Sequence, residues 1–452
     1  MEEVLKGKSF LMKDAFRMAW PAVLESFFVS LAGMIDTMMV SSLGTAAVSS
    51  VGLTTQPKFI ALTLFLAINV AISALVARRY GQKDKKNANE IFVTSMIFVI
   101  VACIIVSFAS VAFTDHIIEF CGSNPETHAG AVTYFIVIQA GMIFNVLSLA
   151  INAAQRGSGN TKIAMTTNVT SSIVNICFNY LLIEGHFGFP RLGLFGAALA
   201  TVLGTVVAFI MSLISILKKG SFISLGYIIK EKIRPSFAAF KTTLSLSNNF
   251  FIENLVMRVG FLVTSILAAG LGTDAFAAHQ VGMNILSLSF SFGDGMQVAA
   301  VALIGQSLGR KEKKLAKTYG SICQMMGLAM GVVIMIIMIF FGKDVFSLFF
   351  KETHVIDMGI LISYFIAAIT IFQISQIVYA GCLRGAGDAR YTLFGSLVSV
   401  AIIRSVVTWA LVGGIFDLGL TGIWIGVFSD QFARFLFFTI RYHKGQWVDI
   451  SI

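Results

Sequence analysis

The sequence predicts an all-α integral membrane protein with twelve transmembrane helices in two pseudo-symmetric six-helix lobes. Three observations carry that expectation. Apolar residues make up 57% of the 452-residue chain and charged residues only 12%; soluble domains carry about 25% charged residues, so this chain cannot cover a water-facing surface. Apolar runs of about 20 residues, the length a helix needs to cross a bilayer core, recur from end to end. Finally, phrases of the first half return in the second: QRGSGNTK at 155–162 becomes LRGAGDAR at 383–390, a shift of 228 between the first glycines (385 − 157).

Taken in order, the apolar runs place spans near 15–41, 46–77, 89–113, 128–153, 162–184 and 192–217, then 241–270, 275–306, 317–341, 355–382, 391–413 and 419–440. The polar, mixed-charge start MEEVLKGKSFLMKDAFR lacks the pattern of a cleaved signal sequence. A formal charge of +10 raises the question of a nucleic-acid partner, but its placement argues against one. Arg78, Arg79, Lys83, Lys85 and Lys86 fall in one loop, and Arg310, Lys311, Lys313, Lys314 and Lys317 in another. With twelve spans these loops, both termini and the other basic segments lie on one side. The opposite loops hold only Arg191, Lys343 and Lys351. By the positive-inside rule the termini are expected in the cytoplasm, in a multi-pass protein of the plasma (inner) membrane. Five cysteines, 103, 121, 177, 323 and 382, lack metal or disulfide spacing.

The 228-residue shift also carries SLGTAA (42–47) to GLGTDA (270–275), YGQKDKK (80–86) to LGRKEKK (308–314), Glu25 to Glu253, Gln56 to Asn284 and Asn69 to Gln297. GLFG at 193–196 returns as GLTG at 419–422, shifted by 226. Six spans per copy is an even number, so both copies start on one side and are related by a pseudo-two-fold along the membrane normal. The expected division is a first lobe at 1–217, a cytoplasmic connection at 218–240 with an amphipathic piece on the inner leaflet, and a second lobe at 241–452. The two Gly-rich phrases become equivalent cytoplasmic turns, their glycines permitting tight turns and their basic residues sitting at the headgroup level.

GLGTDAFAAHQVG (270–282), LRGAGDAR (383–390), MIDTMMVSSLG (34–44) and GLFGAALAT (193–201) resemble the multidrug and toxic compound extrusion (MATE) family, and the resemblance covers essentially the whole chain. It implies antiport: an organic, mostly cationic compound leaves while protons or sodium ions enter, with no other cofactor. Membrane lipids and small organic substrates are then the partners, and a monomer is expected.

An ionisable residue at the bilayer centre costs roughly 2.5–3.5 kcal/mol on insertion scales and therefore asks for a reason. Helix 1 carries Glu25 and Asp36, eleven residues apart; at about 100° per residue they share one face, about 16 Å apart along the axis. Helix 5 presents a polar stripe, Asn168, Ser172, Asn175 and Asn179, that must face protein or water. Lys58, after Pro57, either pairs with Asp36 or snorkels outward. In the second lobe Glu253, Arg258, Asp294, Arg404 and Asp430 are the charged candidates. Glu253 and Arg258 lie about 140° apart around their helix, so Arg258 is expected to meet a carboxylate from another helix, such as Asp294.

The resemblance assigns ion coupling to Asp36, Asn175, Asn179 and Thr201. Many members have Asp where this chain has Asn179, and the missing charge favours protons over sodium; a sodium ion at the Asp36 group is the one metal the set suggests. NorM-like members use a helix 7 Glu, matched by Glu253, and a helix 10 Asp, where this chain offers Gln373 and Gln376. The expected substrate cavity gathers Glu25, Lys58, Glu253, Arg258, Asp294, Gln373, Gln376 and Arg404. A flippase for a lipid-linked saccharide would want a strongly basic cavity, whereas acids and bases here are mixed. A membrane-embedded enzyme is disfavoured because HExxH, GxSxG, a Walker loop and paired Asp-rich motifs are absent. A receptor or scaffold would not need acids on several helices.

Overall fold

The computed structural model describes residues 2–43, 45–121, 123, 125–218, 220–350, 352–414 and 416–450. Gly44 and Lys351, used above, lie outside the described residues. Numbered in chain order, the long helices are α1 (Glu2–Ser41), α2 (Thr45–Gly81), α3 (Lys85–Ala112), α4 (His128–Ala140 with Met142–Gly157), α5 (Thr161–Leu182) and α6 (Gly193–Leu217). The second set is α7 (Phe237–Ala269), α8 (Thr273–Gly309), α9 (Lys313–Ser347), α10 (Thr353–Ala386), α11 (Ala389–Gly414, in α- and π-helical pieces) and α12 (Gly419–Lys444).

Ten of these are long and apolar enough to span a membrane, or eleven when the two pieces of α4, bent by 46°, count as one. The twelfth is α5. At 22 residues it has the length, but Asn168, Ser172, Asn175 and Asn179 lower its apolarity. The same stripe that makes α5 weak as a lipid-facing helix requires it to face protein or water.

The Gly-rich phrases divide their glycines between two tasks. Gly159 and Gly387 have φ of 87° and 88° and make the turns. Gly157 and Gly385 instead sit against a neighbouring helix: a Cβ on Gly157 would lie 2.6 Å from the Ser73 carbonyl oxygen, and one on Gly385 2.6 Å from that of Val301. Ser73 and Val301 are themselves 228 residues apart. The repeat therefore preserves a helix contact as well as a turn.

Two compact units emerge, Leu24–Phe251 and Met1–Val23 with Ile252–Ile452. They differ from the repeat boundaries because α1 and α7 each change unit along their length. In the second unit Ala15, Met18 and Ala19 of α1 pack with Met296, Ala299 and Ala300 of α8, beside Trp447 and Val448 of the C-terminal segment, and Tyr319 donates to Asp14 at 2.7 Å. In the first unit the opening turns of α7 pack on α3, with Phe240 edge-on to Phe98 and the Thr243 and Ser95 hydroxyls 3.4 Å apart. The connection joins that unit's core: Ile223 and Ile228 pack with Phe65, Ile68, Phe92 and Val146. Its short helix, Leu225–Lys230, is capped by Ser224, and Asn89 accepts from Ser224 N at 3.0 Å and donates to the Phe222 carbonyl at 3.0 Å. Ile229 stays exposed, so the piece has an apolar side toward protein and another away from it.

Candidate functional site

Helices α1 and α5 run in register. Asn179 Nδ2 donates to Asp36 Oδ1, and Asn168 Nδ2 donates to Glu25 Oε1. Both pairs are 143 residues apart. Because the eleven-residue spacing brings side chains back to one face after three turns, the two carboxylates on α1 meet the two asparagines on α5 as rungs of one ladder.

The upper rung is the centre of a hydroxyl and amide cluster. Asn175 Nδ2 donates to Thr201 Oγ1 at 3.1 Å, and Thr201 donates to the Ala197 carbonyl at 3.1 Å. The structure thus joins the four residues expected to couple the ion as two bonded pairs, Asp36 with Asn179 and Thr201 with Asn175, the two asparagines one turn apart on α5. Asn179 is fully buried, and its Oδ1 has no partner. Lys58 is half-buried, with its ammonium 5.9 Å from the Phe59 ring centroid. It lies close enough to Asp36 to feel its charge, yet the two form no ion pair within 4 Å among the described residues. Neither a direct pair nor a fully solvated lysine describes it.

The lower rung holds a feature that the loop reading of the phrases missed. Arg156 turns inward and pairs with Glu25, and its repeat equivalent Arg384 pairs with Glu253 at 2.7 Å. The expectation that the phrases' basic residues sit at the headgroup level holds for the exposed Lys162 and Arg390 and fails for these two arginines, whose side chains are only 18% and 13% exposed. The reason is local: a carboxylate buried on the adjacent helix pulls the guanidinium inward more strongly than water can hold it. Ser396 stands at the place of Asn168 (168 + 228) and donates to Glu253 Oε1 at 2.8 Å, while Thr392 donates to Oε2 at 3.2 Å. The copies differ in one respect. Both Glu253 oxygens are occupied, whereas Glu25 Oε2 is buried without a partner. The 228 shift relates Glu25 to Glu253 and Arg156 to Arg384, so both members of the pair recur, while the pairing itself is a long-range contact.

The remaining candidates of the second half fall largely into two networks. Arg384 Nη1 donates to Gln297 Oε1 at 2.8 Å, and Gln297 Nε2 donates to Asp294 Oδ1 at 3.3 Å, so Asp294 and Glu253 share a chain of hydrogen bonds. Arg404 lies on the π-helical part of α11 (Leu397–Arg404). It donates to Thr264 Oγ1 at 2.8 Å, reaches Asp430 at 3.4 Å and stacks 4.7 Å from the Phe261 ring centroid. Arg434, which the sequence did not flag, grips Asp430 with bonds of 2.9 and 2.8 Å. Gln376 donates to Gln431 Oε1 at 3.3 Å, beside this cluster. Gln373 is buried with Oε1 unpartnered. Arg258 is half-buried on α7. Among the described residues no group of three or more His, Cys, Asp or Glu side chains gathers as a metal site.

Comparison with known proteins bears on the family and the fold. The sequence pattern that defines the MatE family matches twice, over residues 21–181 and 250–410, an offset of 229 (250 − 21) within one residue of the internal repeat. A probable multidrug resistance protein NorM of Thermotoga maritima is 28% identical over 442 residues, 97% of this chain and 93% of its own. An uncharacterized transporter YisQ of Bacillus subtilis is 24% identical, over 96% and 94%. The crystal structure of a MATE protein in the bent conformation superposes with a TM-score of 0.88 at 21% identity, covering 98% of each chain. These relatives are transporters, not enzymes. The chain described here is a multi-pass membrane protein and belongs to the MatE family, the MATE multidrug efflux transporters.

Proposed function

We propose that this chain is a proton-coupled antiporter of the plasma membrane, with both termini cytoplasmic, that exports amphipathic, mostly cationic organic compounds by alternating access. The observation that supports protons over sodium most directly is the upper rung: Asp36 is paired with an amide, Asn179, and not with a second carboxylate. One carboxylate among neutral amides and hydroxyls balances one proton, whereas a sodium ion prefers several oxygen ligands and gains from extra negative charge. The multidrug resistance assigned to the NorM relative supports the substrate class, as do the 19 Met and 41 Phe, soft and aromatic surfaces that suit varied apolar cations. In this reading Asp36, Asn175, Asn179 and Thr201 carry the proton. Glu25, Lys58, Glu253, Arg258, Asp294, Gln373, Gln376 and Arg404 supply the polar contacts of the substrate path. The protein acts as a monomer on small molecules within its lipids.

The test is transport of a fluorescent organic cation in proteoliposomes, with a pH gradient and a sodium gradient imposed separately. Export driven by the pH gradient alone, and lost in Asp36→Asn that still binds the cation, is the expected result. Export driven by sodium alone, or full pH-driven export by folded Asp36→Asn, would overturn the proton assignment.

A further inference from the structure

The two copies of the repeat satisfy their lower-rung carboxylates differently, and matched positions show why. In the second copy Arg384 Nη2 pairs with Glu253 Oε1 at 2.7 Å while Nη1 donates to Gln297 Oε1 at 2.8 Å, so the guanidinium is anchored at two points. Ser396 donates to Glu253 Oε1 at 2.8 Å and Thr392 to Oε2 at 3.2 Å. Both carboxylate oxygens are capped by the chain itself, and the pair is closed.

Subtracting 228 takes Glu253, Arg384, Gln297, Ser396 and Thr392 to Glu25, Arg156, Asn69, Asn168 and Ala164. Two of these replacements open the site. Ala164 has no hydroxyl, and Glu25 Oε2, the oxygen that Thr392 caps in the other copy, has no partner. Asn69 is one methylene shorter than Gln297, and its Oδ1, the counterpart of the second anchor, is unpartnered as well. Arg156 and Asn168 both donate to Oε1. The equivalents of all these residues meet in one hydrogen-bonded network, which places the open acceptors of the first copy together. Glu25 is 7% exposed, and a bare carboxylate oxygen in such surroundings carries the full cost of its lost hydration. Arg156 stands in the last turn of α4. Anchored at one point only, its long side chain can swing out to the headgroup level. Glu25 is then left for a cation that has a hydrogen to donate.

We propose that Glu25 receives the cationic head of the transported compound and that its open oxygen selects heads bearing N–H over fully alkylated ones, while Glu253 stays closed as an ion pair. The proposal rests on the export of organic cations proposed above and sharpens its substrate class. Charge alone admits any cation, whereas a buried acceptor left unfilled disfavours the analogue with no hydrogen to give.

The experiment uses the purified full-length protein in detergent, with no gradient, and follows binding of two fluorescent cations by polarisation. Rhodamine 6G carries N–H on its amines; the amines of tetramethylrhodamine methyl ester are fully alkylated. Rhodamine 6G should bind about tenfold more tightly, the worth of one hydrogen bond to a charged group. Ala164→Ser supplies the missing hydroxyl and leaves the Glu25 charge in place, so it should remove this preference while binding of the methyl ester holds. Asn69→Gln, which gives Arg156 its second anchor, should weaken both dyes, and Glu25→Gln should do the same. Melting temperatures confirm that each variant is folded. Equal affinity for the two dyes in the unmodified protein, a preference that survives Ala164→Ser, or one that disappears in folded Glu253→Gln would overturn the subsite and leave water as the partner of Glu25 Oε2, with the export reading still standing. Binding of neither dye would overturn the substrate reading and the subsite together.

Discussion

Asp36 and Glu253 show how differently single residues announce themselves in a sequence. Both are acids within apolar runs, and both were visible for that reason. Their partners were not equally visible. Asn179 lies in a polar stripe on a long apolar helix, and the family resemblance grouped it with Asp36. Arg384 lies in a Gly-rich phrase among other basic residues, where positive charge has a sufficient explanation in topology. Nothing in that phrase says that one arginine turns inward while Arg390, six residues on, stays exposed. The distinction depends on the buried carboxylate across the helix interface, a long-range fact. It makes a testable difference. Arg384→Gln leaves Glu253 buried with only hydroxyl donors, and breaking a buried ion pair from one side costs about 3–5 kcal/mol. Arg390→Gln should change stability by no more than about 0.5 kcal/mol. In thermal unfolding of the purified protein, Arg384→Gln is expected to lower the melting temperature well below that of Arg390→Gln, and Glu253→Gln combined with it should recover most of the loss. Equal effects of the two single changes would show that the inward pair contributes nothing.

At the scale of the helix, periodicity and length identified nearly every element, including α5 in spite of its asparagines. The breaks were not legible. The bend in α4 falls at Gly141, where a Cβ would lie 2.5 Å from Val202 Cγ2, and the π-helical turns of α11 surround Arg404 and Thr408. Both depend on what the helix packs against, which local sequence does not encode. The glycines of the repeated phrase show the same limit, since turn and close approach both call for glycine. Substitution separates them. Gly157→Ala raises intrinsic helix propensity by about 1 kcal/mol, yet its Cβ would meet backbone: the Ser73 carbonyl oxygen at 2.6 Å and Ala77 N at 3.1 Å. Neither atom can rotate aside as a side chain would. Overpacking of this kind costs about 1–3 kcal/mol, so Gly157→Ala and Gly385→Ala are both expected to destabilise, measured as a loss of melting temperature. A neutral or stabilising outcome would mean that α2 and α8 move away from these positions freely.

For the molecule as a whole, the repeat, the charge bias and the single acid of the upper rung lead to predictions about sidedness and coupling. The turns of both phrases should face the cytoplasm. Cysteines at Asn160 and Arg390, both exposed, should react with an impermeant thiol reagent from the inside only, in a background without the five native cysteines; Ala386 is fully buried and would report nothing. Outside labelling would reverse the topology. Coupling follows from charge balance. One proton entering down 100 mV contributes about 2.3 kcal/mol and one pH unit about 1.4 kcal/mol. For a neutral substrate the sum, about 3.7 kcal/mol, sustains a gradient of about 500-fold, because 1.4 kcal/mol is a factor of ten. For a monovalent cation exchanged against one proton no net charge moves, the voltage contributes nothing, and one pH unit sustains only about tenfold. With Asp36 as the one carboxylate of the upper rung, a single proton per cycle is expected. Export of a monovalent organic cation from proteoliposomes should therefore respond to the pH gradient and not to a potassium–valinomycin potential, while a neutral compound should respond to both. Export of the cation driven by the potential alone would require a second proton, and Glu25, whose buried Oε2 has no partner, is the carboxylate placed to take it; Glu25→Gln would then remove the voltage response and leave the response to pH.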